Sequence, residues 1–364
     1  MHDDRVRKLA EILLDHSIAV QKGDRINIRV TTSLGMPLAR EVYKGVVQRG
    51  AFPHLETGDD TLAAYYLKHA SKDQLSAKPV IAEAVANWAD KSVTIVADQN
   101  TRELASVPPE NSIIRAKILK PIRDISIKKP WILVYYPTPA MAQDAGMNLE
   151  EFEDFFFKAC VRDWKKEQSA LERIAEYFNK VSEIQVIGEH TNLKMSVKNR
   201  VWIPCYGTYN MPDGEVFTAP VEDTVAGHVY FEYPLIRNGK TMRDIQLWFE
   251  KGKIVRTSAS ENHALLESIL DTDAGARFLG EFAIGTNKMI QQYMYNTLFD
   301  EKMAGTIHMA VGQAYEECKG VNSSTVHMDI VKNMRSDGAK IIADGITIYE
   351  NGQFIGPLQQ SPNK

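Results

Sequence analysis

The sequence predicts an α/β protein of two domains: an N-terminal α/β domain with a mainly parallel sheet, then a C-terminal β-rich α+β domain. Strand patterns alternate with helix patterns in the first half of the chain, which is typical of a parallel sheet. Short extended runs separated by Gly, Asn and Asp fill the second half. A chain of 364 residues is also long for a single core. The change of pattern predicts domains of residues 1–180 and 181–364.

The elements of the first half follow from the spacing of apolar residues. Apolar positions at helical spacing predict a helix over residues 4–16. Ile26, Ile28 and Val30 alternate with polar residues and predict a half-buried strand. The next predicted elements are, in order, a helix over 36–51, an extended stretch over 52–56, a helix over 76–90, and strands over 92–98 and 130–138.

The longest helical pattern of the chain covers residues 149–180. One side carries an apolar stripe that we interpret as core packing and domain linkage. Its members are Phe152, Phe155, Phe156, Ala159 and Cys160. The strands predicted after it are the runs EIQVI, LKMSV, HVYFEYPLI, IQLWFEKGKIV and ITIYENGQFI.

Composition excludes several classes of partner. Apolar residues make up 44% and charged residues 25%, and the formal net charge is −4. Basic residues are scattered, so neither a nucleic acid nor an anionic membrane is indicated as a partner. No apolar run reaches membrane-spanning length, and the first residues lack the apolar core of a signal peptide. Three distant cysteines, Cys160, Cys205 and Cys318, indicate a reducing compartment, and we expect a cytoplasmic protein.

Common catalytic motifs are missing from the sequence. It contains no dinucleotide or P-loop glycine pattern, no GxSxG elbow, no HExxH helix and no paired CxxC. The run TTSLGMP follows a predicted strand and offers an anion site at a helix N-terminus. An ordinary β-α turn explains the same run more simply.

The second half carries carboxylates and histidines in apolar surroundings. His327 and Asp329 project from one face of an extended chain, since side chains two positions apart share a face. A paired histidine and aspartate at a strand end explains these two residues most simply, and a lone glutamate in an apolar run usually caps a turn or pairs with a base. The alternative is a single metal-binding set of Glu215, Glu281, Glu301, His308, His327 and Asp329.

Charge favours metal ions if these side chains meet. Four buried carboxylates without cations would repel one another, and some would take up protons. Two divalent ions cancel the four charges, and the oxygen and imidazole donors suit zinc, cobalt or manganese. A pair of such ions polarises a carbonyl and activates water, which is hydrolase chemistry.

Several segments together resemble the thermophilic metalloaminopeptidase family, the group of aminopeptidase T, aminopeptidase S and PepS. The segments are NMPDGEVFTAPVEDTVAGHV, FLGEFAIGTN, LFDEKMAGTIHMAVGQAY, SSTVHMD, IYENGQF and the N-terminal KGDRINIRV and LAREVYKGVVQRGA. The resemblance covers most of the chain. One departure is local: the chain reads DEK where the family usually reads DEN, and the histidine follows the glutamate by seven residues instead of five.

The resemblance implies a function and assigns residues to it. It implies an exopeptidase that removes N-terminal amino acids, uses two divalent metal ions and forms a homodimer. The six candidate residues become metal ligands, with Glu281 as the bridge, and Tyr315 matches the active-site tyrosine of the family. We expect Tyr315 and Glu215 to be the catalytic residues, with the tyrosine donating a hydrogen bond to the oxygen that develops charge.

Several alternatives stay open at this point. The free α-amine of the peptide is bound by a metal ion or by a carboxylate such as Glu222 or Asp223. The simpler interpretation of both carboxylates is that they are solvated acids on the surface. If residues 308–315 were extended, His308 and Tyr315 would face opposite sides, so a turn at Gly312 is needed. The rival functions are another dinuclear metal amidohydrolase and a non-catalytic binding relative with a degenerate site.

Overall fold

The computed structural model describes residues 3–237 and 239–359, and these residues divide into two compact units. The first unit comprises Met1–Arg162 and Gly207–Pro212, and the second comprises Asp163–Tyr206 and Asp213–Lys364. The helices are α1 Asp4–Ile12, α2 Met36–Gln48, α3 Asp60–His69, α4 Lys72–Ser76, α5 Val80–Trp88, α6 Pro109–Ser126, α7 Pro139–Asp144, α8 Leu149–Cys160, α9 Trp164–Phe178, α10 His263–Leu270 and α11 Thr297–Asp300.

The strands are short and most of them lie in the second unit. They are β1 Arg25–Val30, β2 Phe52–Thr57, β3 Lys91–Val96, β4 Trp131–Tyr135, β5 Glu183–Gly188, β6 Thr191–Ser196, β7 Ile203–Cys205, β8 Asn210–Met211, β9 Glu215–Thr218, β10 Ala226–Phe231, β11 Leu235–Arg237, β12 Lys240–Met242, β13 Ile245–Glu250, β14 Lys253–Ser258, β15 Leu279–Gly285, β16 Thr306–Gly312, β17 His327–Asn333, β18 Lys340–Ala343, β19 Ile346–Glu350 and β20 Gln353–Phe354.

The first unit is built on a parallel sheet of five strands in the order β2-β1-β3-β4-β8. Ile26, Ile28 and Val30 of β1 are fully buried, as their alternation predicts. β8 is only two residues long and enters this sheet from Gly207–Pro212. The predicted α/β character of this part of the chain is confirmed.

The predicted helices of the first unit differ from the structure at their ends. The helix predicted over 4–16 is α1 followed by a π-helical turn over Leu13–Ser17, and the one predicted over 76–90 begins at Val80. The pattern over 149–180 forms two helices, α8 and α9. Val161 ends the first with ψ 79°, and the Asp163 side chain caps the second by accepting a hydrogen bond from the Lys166 N–H.

The compact units separate at Arg162 and Asp163, whereas the predicted domains separate near residue 180. The difference is α9, which packs against β7 and β9 of the second unit. Its buried side chains, which include Leu171, Ile174 and Phe178, belong to the main core of that unit. The compact units and the predicted domains therefore differ in the assignment of α9, and the domain boundary stays a prediction.

The second unit contains two large antiparallel sheets and a hairpin. One sheet has eight strands in the order β14-β13-β10-β6-β5-β18-β19-β20, and the other has five in the order β17-β16-β15-β9-β7. β11 and β12 form the hairpin. A single apolar core receives side chains from α9 and from both large sheets. The predicted β-rich α+β character is confirmed. Among the described residues no helix is both long and apolar enough to cross a membrane.

Candidate metal centre

The five-stranded sheet of the second unit positions most of the candidate residues. Because side chains alternate along a strand, each of its strands has a side that enters the apolar core and a side that does not. The first side, here called the apolar face, carries Val216, Phe282, Ile284, Ile307, Met309, Val311, Met328 and Ile330. The second side, here called the polar face, carries Glu215, Phe217, Glu281, Ala283, His308, Ala310, His327 and Asp329.

The register of the strands brings the polar face together. Glu281 of β15 lies opposite Ala310 of β16, and Ala310 lies opposite Asp329 of β17. The same alignment puts His308 opposite Ala283 and His327 opposite Gly312. A small residue thus separates the long side chains of neighbouring strands, which leaves room for carboxylates and imidazoles to converge above the sheet.

The end of β16 contains the turn that the sequence requires. Gly312 has φ +100°, and a Cβ there would lie 2.2 Å from the Val326 backbone oxygen, so only glycine fits. The chain turns after it, and the Tyr315 ring lies 5.1 Å from the His327 ring, with the planes at 63°. Tyr315 therefore reaches the polar face although an odd number of residues separates it from His308.

Glu301 reaches the centre from outside the sheet. It directly follows α11, whose first turn is capped by the Asn296 side chain through the Leu298 N–H. Its exposed fraction is 8%, against 4% for Glu215 and Glu281 and 1% for His308. The helix end therefore turns Glu301 inward despite the longer spacing to His308.

The six candidate residues form one continuous set of donors. His308 Nε2 lies 3.1 Å from Glu281 Oε1 and 3.2 Å from Glu215 Oε2. His327 Nε2 lies 3.5 Å from both Glu281 Oε2 and Asp329 Oδ2. Three overlapping triads have donor atoms within 4.8 Å of one another: Glu215, Glu281 and His308; Glu281, His327 and Asp329; Glu301, His308 and Asp329. Glu281, His308 and Asp329 each belong to two of these triads and so connect the set.

The orientation of His327 fits a cation. Its Nδ1 lies 2.9 Å from the Gln313 backbone oxygen, which only accepts, so Nδ1–H donates there. In the neutral ring Nε2 then presents a lone pair to two carboxylate oxygens, Glu281 Oε2 and Asp329 Oδ2. Three acceptors facing one another are stable only with a proton or a metal ion among them, and a backbone bond of this kind commonly orients metal-binding histidines.

Two buried atoms that make no hydrogen bond also fit a metal. Within the described part of the chain, Glu215 Oε2 and His308 Nδ1 are buried and make no hydrogen bond. Glu215 Oε2 has an ion-pair contact with His308 Nε2 at 3.2 Å, and a buried carboxylate oxygen without a hydrogen bond is costly unless a cation lies beside it. The residues present therefore suit one or more divalent ions held by oxygen and imidazole nitrogen.

A buried lysine lies among the acids, and the sequence did not predict it there. Lys302 is 1% exposed, and its Nζ lies 2.5 Å from Glu215 Oε1, 2.9 Å from Glu301 Oε1 and 3.9 Å from Asp213 Oδ1. The available signal was its position next to Glu301 in the departure DEK, between the apolar residues Phe299 and Met303.

The pKa values of the imidazoles respond to the surrounding charge. Burial alone lowers the pKa of His308, but Glu215 and Glu281 raise it to about 9. Burial likewise lowers the pKa of His327, and the Asp329 carboxylate raises it to about 10. In the metal-free protein both imidazoles are therefore protonated to the positively charged form at neutral pH. Their charges balance part of the negative charge of the acids.

The pKa values of the acids and of the lysine do not all shift in the same direction. Burial raises the pKa of Glu281, and it raises that of Glu301 to about 7 despite the nearby Lys302 charge. Burial raises the pKa of Asp329 as well, but His327 outweighs it and the net shift is downward. Burial lowers the pKa of Lys302, and Glu215 and Glu301 raise it well above its usual range.

Tyr315 and the acids considered for amine recognition lie in different surroundings. Burial and the charge of Glu281 raise the pKa of the Tyr315 phenol well above its usual range, so the phenol keeps its proton, although 43% of the residue surface is exposed. Glu222 is paired with Arg200 at 2.5 Å and accepts a hydrogen bond from the Val321 N–H. Asp223 lies in the turn that follows Glu222. Glu222 is thus engaged in a structural ion pair.

Comparison with known proteins points to one family. The profile described as thermophilic metalloprotease (M29) matches residues 2–354. Aminopeptidase 2 of Geobacillus stearothermophilus is 29% identical over 392 aligned positions, which cover 93% of each chain. The solved AmpT of Thermus thermophilus superposes with a TM-score of 0.84 at 24% identity, covering 97% of this chain and 99% of that one.

A second solved structure shares the fold at greater distance. A 2,5-dihydroxypyridine dioxygenase of Pseudomonas putida KT2440 superposes with a TM-score of 0.61 at 12% identity, and the match covers 97% of each chain. The activity that its name gives is unrelated to peptide hydrolysis. The architecture therefore supports more than one reaction, and the side chains of the centre must decide which one a given chain performs.

Proposed function

Since this chain belongs to the thermophilic metalloprotease family M29 and is a peptidase, we propose that it removes N-terminal residues from peptides through water activated by two divalent metal ions. The family membership predicted from the sequence segments is confirmed, and the aminopeptidase function has the support of relatives named aminopeptidases. The number of ions, their identity and the ligand set are our proposal.

One observation carries the proposal. Six donors from four strands and one helix end meet above the polar face, and His327 Nε2 lies 3.5 Å from one oxygen of each of two carboxylates. Carboxylate oxygens and imidazole nitrogens gathered within reach of one another are the donor set that zinc, cobalt or manganese prefers. We therefore assign Glu215, Glu281, Glu301, His308, His327 and Asp329 as metal ligands, with Glu281 as the bridge.

Divalent ions bound at these residues would supply Lewis acidity and a water of lowered pKa. The chain supplies orientation and exclusion of solvent. Gln313 fixes the His327 ring through its backbone oxygen, and the low exposure of Glu215, Glu281 and His308 keeps bulk water from the charges. Low local polarity strengthens every electrostatic contact with the reacting carbonyl.

Tyr315 and Glu215 complete the proposed machinery. The Tyr315 phenol keeps its proton because its pKa is raised by burial and by the charge of Glu281, so it can donate to an oxygen that gains negative charge. Glu215 Oε2 is free of hydrogen bonds within the described residues, whereas its Oε1 accepts from Lys302. We assign the free oxygen to metal binding and proton transfer.

The proposal also includes the identity of the metal, the oligomeric state and the cellular compartment. Oxygen and imidazole donors suit zinc, cobalt or manganese. We expect a homodimer, which light scattering on the purified protein would check. All three cysteines are buried thiols rather than members of a disulfide, which supports the expected cytoplasmic location.

Removal of metal with a panel of substrates tests the function. We expect hydrolysis of aminoacyl amides and free peptides from the N-terminus, loss of activity on chelation, and recovery with zinc, cobalt or manganese. N-blocked substrates should resist, because the free amine defines an aminopeptidase. Cleavage of blocked amides would favour an amidohydrolase. Protein that binds no divalent ion and recovers no activity would favour a non-catalytic relative.

A further inference from the structure

Lys302 divides the donor set into two sides. Its ammonium contacts one carboxylate oxygen of Glu215 at 2.5 Å and one of Glu301 at 2.9 Å, with Asp213 at 3.9 Å. We call these three acids the lysine side. The histidine side consists of Glu281, His327 and Asp329, whose donor atoms lie within 4.8 Å of one another. His308 lies between the sides, in contact with Glu215 and Glu281.

The two sides differ in what an incoming cation meets. On the histidine side, His327 Nε2 lies 3.5 Å from one oxygen of Glu281 and one of Asp329, and a metal ion can take the position between these three atoms without approaching the ammonium. On the lysine side, one oxygen of each glutamate already accepts from a positive charge. A divalent ion there must approach the ammonium closely, and like charges repel strongly where water is excluded.

Lys302 has little freedom to leave. It is 1% exposed, and the apolar residues Phe299 and Met303 that flank it in sequence are fully buried. Lysine usually extends its ammonium to solvent, and a fully buried lysine is rare unless it is paired. Here the partners are residues of the centre itself, so the ammonium is a permanent component of the charge balance.

We propose that Lys302 is a built-in cation that takes over part of the role of the second metal ion, so that the two sides bind divalent metal with unequal affinity. The histidine side holds one ion tightly. The lysine side holds a second ion only weakly, because that ion must compete with the ammonium for Glu215 and Glu301. This inference rests on the proposed metal centre and refines its stoichiometry.

Another buried lysine of the same unit provides a matched control. Lys332 is fully buried and pairs with Glu232 at 2.7 Å, and it also donates to the Tyr230 backbone oxygen at 2.9 Å. It lies on β17, but alternation places it on the side opposite His327 and Asp329. Its replacement removes a buried positive charge without changing the charge of the centre.

The test compares wild type, Lys302→Met and Lys332→Met by metal content after gel filtration and by calorimetric titration with zinc in the absence of substrate. We expect one retained ion in wild type and Lys332→Met, with a second site at least about tenfold weaker. Lys302→Met should retain two ions, because Glu215 and Glu301 are left without a cation.

Two retained ions of similar affinity in wild type would overturn the inference, and so would a Lys302→Met protein that still retains a single ion. If Lys302→Met does not fold, Lys302→Asn replaces it, and the wild-type stoichiometry is decisive by itself. The two proposals can fail separately. One tightly bound ion without aminopeptidase activity would contradict the proposed function and support the inference about Lys302. Two tightly bound ions with aminopeptidase activity would support the function and contradict the inference.

Discussion

The two faces of the five-stranded sheet use the same strands for opposite purposes. On the apolar face, Phe282 and Met309 are fully buried among other apolar side chains, and their contacts stabilise the fold. One position away, Glu281 and His308 are just as inaccessible but face acids and imidazoles. The two faces therefore do not differ in how deeply their side chains are buried. They differ in the chemistry of the side chains that each residue contacts.

This comparison shows how a stable scaffold accommodates a costly site. Buried carboxylates reduce stability unless they are paired; the polar face carries three of them, and Glu301 adds a fourth from outside the sheet. The apolar face can offset that cost because each strand contributes to both faces. Substitutions on one face should thus change metal binding, and substitutions on the other should change the free energy of unfolding.

The largest effect is expected for Glu281→Gln on the polar face. The amide cannot bridge cations as the carboxylate does, so metal content should fall and activity should decrease by more than about a hundredfold, beyond the loss typical of residues that only support a ligand. Without metal, the free energy of unfolding should stay the same or increase, because burial raises the pKa of Glu281 and its charge opposes folding. Metal analysis and urea denaturation measure both quantities. Full activity with normal metal content would remove Glu281 from the centre.

The neighbouring substitution Phe282→Ala should have the reverse profile. Removal of a fully buried phenylalanine costs about 3–5 kcal/mol of stability. The folded fraction should keep its metal content and KM, because Phe282 projects into the core. Urea denaturation of the metal-free protein gives the stability change, and activity per folded molecule gives the second result. Loss of metal at unchanged stability would contradict the separation of the faces.

Tyr315→Phe tests the edge of the polar face. The change removes one hydrogen-bond donor, so kcat should fall by about 10²–10³-fold while KM and metal content change little. Tyr230→Phe is the control, because that phenol donates to Asp244 outside the centre. Steady-state kinetics of both variants give the kcat and KM values to compare. Equal effects of the two substitutions would reduce Tyr315 to a packing role.

Proton release on metal binding is the mildest expected effect. His308 and His327 have pKa values raised to about 9 and about 10, so both rings are protonated at pH 7 in the metal-free protein. Metal must displace these protons, so affinity should rise with pH until it passes those values. Calorimetry in two buffers of different ionisation enthalpy should register about two protons released per chain at pH 7. Binding without proton release would indicate a ligand set that excludes the histidines.

Much of the fold follows from local pattern. The alternation of Ile26, Ile28 and Val30 predicts β1 because one side of that strand is buried. α6 was not predicted: it contains Pro121 and has no buried residue, so no apolar stripe marks it. β8 is two residues long and depends on a partner strand distant in sequence. Helices and strands that lack an apolar face of their own cannot be predicted from the local spacing of apolar residues.

The candidate site divides in the same way. The shared face of His327 and Asp329 is a consequence of strand alternation and could be predicted. The turn at Gly312 follows from the need to bring Tyr315 to that face. The placement of Lys302 could not be predicted, because lysine is usually exposed and because its partner Glu215 lies 87 positions away in the chain.

The most direct measurement is anomalous diffraction from crystals soaked in zinc or manganese and collected at the absorption edge of the metal. The account predicts a strong peak among Glu281, His327 and Asp329, and a weaker one beside Glu215 and Glu301 that strengthens in Lys302→Met. Crystals that bind metal elsewhere, or that leave these donors without a peak, would contradict a metal centre on this face of the sheet.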